Sequence, residues 1–76
     1  MVEQTLTNTQ KAIISVWQEV LNKNEINLDD DFAAIGGQSL DAVKIAFKCQ
    51  KLLNKRVTTS MVIRNKTVRA MAEGLD

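Results

Sequence analysis

Apolar residues recur along this chain at helical intervals, and nowhere do they alternate with polar residues as a half-buried strand requires. Ile13, Trp17, Val20 and Leu21 fall at i, i+4, i+7 and i+8, one buried stripe of a helix. Thr7 with Gln10 three residues on reads as a capping box at its start. Asn22 or Asn24 suits the left-handed cap that ends it. The pattern therefore predicts a first helix over about 9–23, with Trp17 as its core anchor. A second helix over about 39–54 carries two stripes. Ala42, Ile45, Ala46, Cys49, Leu52 and Leu53 make a wide core face. Leu40, Val43 and Phe47 lie opposite, flanked by Lys44, Lys48 and Lys51. A short helix over about 60–64 groups Met61, Val62 and Ile63. A last one over about 67–75, capped by Thr67, aligns Val68, Met71, Ala72 and Leu75, and Gly74 weakens its end. The fold class is all-α, a bundle of three longer helices and one short one.

Between the first two helices lies a long connection over 23–38. Loops of this length are uncommon in compact domains and are often functional. Ile26, Leu28, Phe32 and Ile35 are spaced to pin it to the bundle. Asp29, Asp30 and Asp31 form an acidic run in it, which by itself reads as a solvated face. Gly36 and Gly37 permit backbone angles closed to other residues, so the chain can turn sharply into the second helix.

Seventy-six residues give one domain, 1–76, and 45% hydrophobic residues are too many for a disordered tail. So small a core leaves little room for a deep substrate cleft, which argues against a self-contained enzyme. The net charge of +1 gives no overall pull toward nucleic acid. The single cysteine, Cys49, lies in the middle of a core face and reads as a small buried apolar residue. The chain has no histidine, which rules out a Ser-His-Asp triad and leaves no plausible zinc set. No apolar run approaches the ~18 residues of a membrane span, and no signal-peptide pattern opens the chain. A cytosolic monomer is expected.

The residue best placed for chemistry is Ser39, after Gly36-Gly37-Gln38 and at the head of the second helix. As a nucleophile it needs a base. Asp41 at i+2 does not face it, and Lys44 at i+5 is poorly aligned. The nucleophile elbow G-x-S-x-G and the phosphate-binding loop G-x-x-x-x-G-K-[ST] are both absent. Two readings remain. Ser39 is a helix N-cap worth about 1 kcal/mol, or it is the acceptor of a modification, with the positive helix end favouring an attached phosphate.

At these residues the chain closely resembles the acyl and peptidyl carrier proteins, the thiolation domains of thioester assembly lines. Asp30-Asp31-Phe32-Ala33-Ala34-Ile35-Gly36-Gly37-Gln38-Ser39-Leu40 carries the resemblance. It extends over nearly the whole chain: Val16-Trp17-Gln18-Glu19-Val20-Leu21 looks like the family's first helix, and Thr67-Val68 with Ala70-Met71-Ala72 like the start of its last. The resemblance implies a four-helix carrier bundle that does no chemistry. A phosphopantetheinyl transferase, using coenzyme A and Mg²⁺, would attach 4'-phosphopantetheine to Ser39. The arm's thiol would then carry an aminoacyl, peptidyl or acyl group as a thioester. Adenylation, condensation, thioesterase-type and tailoring enzymes would be the partners. By position Leu40 and Val43 match docking residues of the family, with Lys44, Phe47 and Met61 as additions. Asp31, Phe32, Gly36 and Gly37 would support the turn.

The paired glycines and Lys44, Lys48 and Lys51 lean toward the peptidyl carriers of nonribosomal peptide synthetases, since fatty-acid carriers usually show a strongly acidic second helix. Ser39-Leu40-Asp41 followed by Val43 also resembles fatty-acid and polyketide carriers. The chain departs from the family pattern at Ala33, Gln38, Ile63 and Lys66, the last standing where a proline is common. Two readings from other classes are kept for testing. One is a helical nucleic-acid binder using Lys44, Lys48 and Lys51, opposed by the near-zero net charge and the neighbouring aspartates. The other is an unmodified interaction bundle in which Ser39 only caps.

Overall fold

The computed structural model describes residues 6–75. These form four helices: α1 (Asn8–Leu21), α2 (Ser39–Leu53), α3 (Thr59–Asn65) and α4 (Val68–Leu75). Each start follows from local chemistry. The Thr7 hydroxyl accepts the Gln10 N–H at 3.0 Å, and the Gln10 side chain accepts the Thr7 N–H at 3.0 Å, closing the capping box of α1. Thr58 caps α3 by accepting the Met61 N–H at 3.2 Å. Thr67 accepts the Ala70 N–H at 3.1 Å and opens α4. The long helices end on asparagines in the left-handed region, Asn22 at φ 56° and Asn54 at φ 54°.

α1 packs on α2 and α4, α2 on α3, and α3 on α4. Among the described residues the core holds no polar or charged side chain. Trp17 is fully buried at its centre and meets Phe32 edge-on, with ring centroids 5.4 Å apart at 69°. Such pairs add roughly 0.5–1.5 kcal/mol beyond the area they bury. Trp17 Nε1–H has no acceptor among the described residues. Ile13, Ala42, Ile45, Cys49, Val62, Val68 and Met71 complete the fully buried set.

Two residues assigned to apolar groups from periodicity lie largely outside the core. Leu52 is 59% exposed. It sits on the edge of the α2 core face and near the helix end, on the rim of a groove with Ser15 and Glu19 of α1, where no further described element covers it. Ile63 is 46% exposed, and only Val62 of the short third helix is buried. A helix of two turns can bury little more than one residue per turn.

The loop from Asn22 to Gln38 is held at many points. Ile26 and Phe32 are buried, while Leu28 and Ile35 pack against the core. The acidic run is solvated as expected, with Asp29 and Asp31 exposed and Asp30 half-buried, and its carboxylates also make bonds that order the loop. Asp30 accepts the Asn27 N–H at 2.9 Å, and Asp31 accepts the Ala33 N–H at 2.9 Å. Asp29 takes two hydrogen bonds from the Arg69 guanidinium, at 2.8 and 3.1 Å. Two backbone bonds tie the loop to the α3–α4 corner: Phe32 N–H to the Lys66 carbonyl at 2.7 Å, and Arg69 N–H to the Leu28 carbonyl at 3.0 Å. The loop thus delivers its last residues to the head of α2 in a fixed position.

Candidate modification site at the head of the second helix

The two glycines before Ser39 are needed for different reasons. Gly36 has φ +99°, a region that disfavours any side chain. Gly37 does not have a positive φ. It is a point of close approach, since a Cβ there would stand 2.5 Å from the Phe32 ring. The Gly37 N–H donates to the Phe32 carbonyl at 2.8 Å, which fixes that approach.

Gln38 follows in an extended conformation, φ −122° and ψ 169°, and is the N-cap of α2. Its N–H donates to the Asp41 carboxylate at 3.0 Å, and its carbonyl accepts the Ala42 N–H at 3.0 Å. Ser39 is therefore the first helical residue and not the cap. The turn spends its extended residue on Gln38, one position earlier than the preference for a capping serine suggests. The consequence is chemical. The Ser39 side chain is exposed, and among the described residues its hydroxyl has no hydrogen-bond partner.

The first N–H groups of a helix have no acceptor within it, and the helix end carries a partial positive charge. Ser39 and Leu40 stand at these positions, so an anion bonded to Ser39 Oγ would meet donors and a favourable field. No described residue arms the serine from within. The nearby carboxylate of Asp41 is engaged by the Gln38 N–H. A free hydroxyl at an anion-favouring helix end fits a phosphodiester attached by another protein.

Along α2 the exposed stripe begins beside the serine. Leu40 is 68% exposed, Val43 49% and Phe47 61%. Sequence periodicity leaves this stripe open between core and surface, and the fold leaves it uncovered. Lys44 is exposed beside it. Lys51 Nζ stands 5.2 Å from the Phe47 ring centre, and Lys48 pairs with Glu19 at 3.7 Å. Met61 is half-buried, and its sulfur receives the Thr58 N–H at 3.5 Å, so part of that side chain serves the α3 cap. Cys49 is fully buried, and desolvation pushes its thiol up to about 11. It stays protonated and unreactive at neutral pH. The reading of sequence alone did not find the groove beside Ser39, about 320 Å³, between the Phe32 loop and the α3 end. Its far wall comes from Ile63 and Lys66, more than twenty positions away, and the Phe32–Lys66 backbone bond brings them near.

Comparisons agree with this geometry. A family described as "Phosphopantetheine attachment site" matches residues 11–75. The nonribosomal peptide synthetase tcpP of Claviceps purpurea (strain 20.1) is 36% identical over 72 residues, covering 91% of this chain and 4% of that protein. The chain spans only 3 or 4% of the length of the first synthetases it matches. Among solved structures, McyG A-PCP complexed with phenylalanyl-adenylate superposes with a TM-score of 0.85 at 30% identity, over 97% of this chain and 12% of that one. BlmI, a type-II acyl-carrier-protein from Streptomyces verticillus involved in bleomycin biosynthesis, gives a TM-score of 0.82 at 27% identity, over 87% of this chain and 80% of that one. The four-helix bundle, the match over nearly the whole chain and these relatives together show that it belongs to the phosphopantetheine-attachment family of acyl and peptidyl carrier domains, non-catalytic carriers that hold 4'-phosphopantetheine covalently.

Proposed function

We propose that Ser39 is the attachment point and that this chain is a peptidyl carrier of nonribosomal peptide synthesis. The observation that carries the proposal is the exposed, unpartnered Ser39 hydroxyl at the head of α2. In the modification step Ser39 Oγ would form a bond to the pantetheine-bearing phosphorus of coenzyme A. The pyrophosphate P–O bond breaks, and adenosine 3',5'-bisphosphate leaves with the electron pair. The serine proton passes to a base of the phosphopantetheinyl transferase, since Asp41 is engaged with the Gln38 N–H. The terminal thiol of the attached group supplies the thioester chemistry.

What this chain's own residues do is present and orient. Gly36, Gly37 and the Asp31–Phe32 turn hold Ser39 outward, and the free N–H groups of α2 receive the phosphate. The stripe of Leu40, Val43 and Phe47 with Lys44 and part of Met61 would dock the transferase and then adenylation, condensation and thioesterase-type enzymes. Apolar residues this exposed beside a reactive group fit partner recognition. The basic α2 would turn away partners that read an acidic carrier. The peptide-synthetase relatives support the peptidyl assignment over the fatty-acid one. A cytosolic setting would supply the coenzyme A. Incubation with coenzyme A and a promiscuous transferase tests the proposal: the wild type should gain one phosphopantetheine by mass, and Ser39→Ala none.

A further inference from the structure

The groove beside Ser39 is lined partly by the core residue Phe32, but its Ile63 and Lys66 belong to neither the buried core nor the α2 stripe. Ser39 is on its edge, and the Phe32 ring, Ala33 and Ile63 give it apolar walls. Its volume of about 320 Å³ is at the lower end of small-molecule sites, which run from roughly 300 to 1,000 Å³. Ile63 faces it while remaining 46% exposed, an arrangement with no value to the core. Lys66 also lines it and has no carboxylate partner among the described residues. The lysine's backbone is held beside the groove, because its carbonyl accepts the Phe32 N–H at 2.7 Å, while its side chain is exposed. Asp31, the other charged group in the lining, has Oδ1 engaged by the Ala33 N–H.

We propose that this groove seats the proximal half of the arm on Ser39, with Lys66 paired to its phosphodiester and Ile63 and Phe32 packed on its dimethyl carbon. The inference rests on the modification of Ser39. The order of chemistry matches. The arm begins with an anionic phosphodiester, and one methylene further on comes a quaternary carbon bearing two methyl groups. The groove offers a lysine and an apolar wall, both beside the serine. In this arrangement only the root of the arm is seated, and the thiol end and its cargo remain outside and free to reach a partner. Docking the root of the arm would reduce the volume that the thiol searches, without hiding the thiol.

The test uses isotope-labelled protein carrying an unlabelled arm. Filtered nuclear Overhauser spectra should show cross peaks from the two arm methyls to the Ile63 methyls and the Phe32 ring. Lys66→Glu should weaken them about threefold, a population change within the ~0.2–1 kcal/mol range of surface ion pairs. Ile63→Ala should weaken the peaks between the arm methyls and the Phe32 ring, and because that side chain is half exposed the amide spectrum should show the fold intact. A loaded protein whose arm methyls touch neither residue overturns the groove assignment, and peaks indifferent to Lys66→Glu overturn the ion pair. Mass measurement on the same samples keeps the failures apart. A chain that takes no phosphopantetheine overturns the attachment reading itself.

Discussion

Replacing Gly37 by alanine probes the turn that presents Ser39. The added methyl would stand 2.5 Å from two atoms of the Phe32 ring and 2.6 Å from a third. Phe32 cannot swing away, because it is only 6% exposed and its ring lies edge-on against the fully buried Trp17. Either the ring moves into a filled core or the Gly37–Phe32 hydrogen bond, 2.8 Å long, stretches. Overpacking of this kind costs roughly 1–3 kcal/mol. The loss of glycine's freedom in the unfolded chain offsets about 0.4–1 kcal/mol of that. The net destabilisation is about 1–2 kcal/mol, which for a domain of this size lowers Tm by roughly 5–15 °C. Thermal melts followed by circular dichroism measure it. Phe32→Leu in the same chain should relieve the clash, so the double variant should lose less than the sum of the two single losses. A Gly37→Ala protein as stable as wild type would refute the close-approach argument. A double variant that loses the full sum would refute the assignment to Phe32.

Three further outcomes are expected. Arg69 holds the Asp29 carboxyl below its ordinary value, chiefly through their hydrogen bond. That contribution is present above the ordinary aspartate range and is lost as pH falls through the lowered value. Urea midpoints should therefore drop less between pH 6 and pH 2 in Asp29→Asn than in wild type. Cys49, raised from 9.0 to about 11 by desolvation, stabilises the fold below pH 9 and loses that contribution as pH climbs toward 11. The loss is of order 2–3 kcal/mol, and Cys49→Ala should show a shallower alkaline decline in denaturant titrations. Val43→Asp, on an exposed position of α2, should keep the helical signal and the melting temperature but impair thioester transfer to partner enzymes. A collapse in folding would return that stripe to the core.

Sequence pattern made the helix starts and the main core legible because those signals are local. Thr7 and Gln10 read as a capping box, and both of its hydrogen bonds are present. Asn22 and the burial of Trp17 and Cys49 were equally readable. The misreadings involve residues whose state is set by partners distant in sequence. Leu52 has the right helical angle for burial, but its burial needs a neighbour on the α1 side that the fold does not supply. The aspartates are the solvated run that the pattern suggests, but the return of Arg69 to Asp29, forty positions away, has no local signal. Ser39 looked like a cap because serine favours that position. Gln38 takes it, since Gly36, Gly37 and Phe32 set the phase of the turn. That shift by one residue is what leaves the hydroxyl free.

The attachment claim is tested most directly by pairing site-resolved mass spectrometry with a melt of Ser39→Ala. A wild-type sample given coenzyme A and a promiscuous transferase should carry a single phosphopantetheine on the peptide that contains Ser39. The Ser39→Ala protein should carry none and should melt within about 0.5 kcal/mol of wild type, as expected for an exposed side chain with no hydrogen bond among the described residues. Modification of the alanine variant, or a wild type that takes no group at all, would contradict the account.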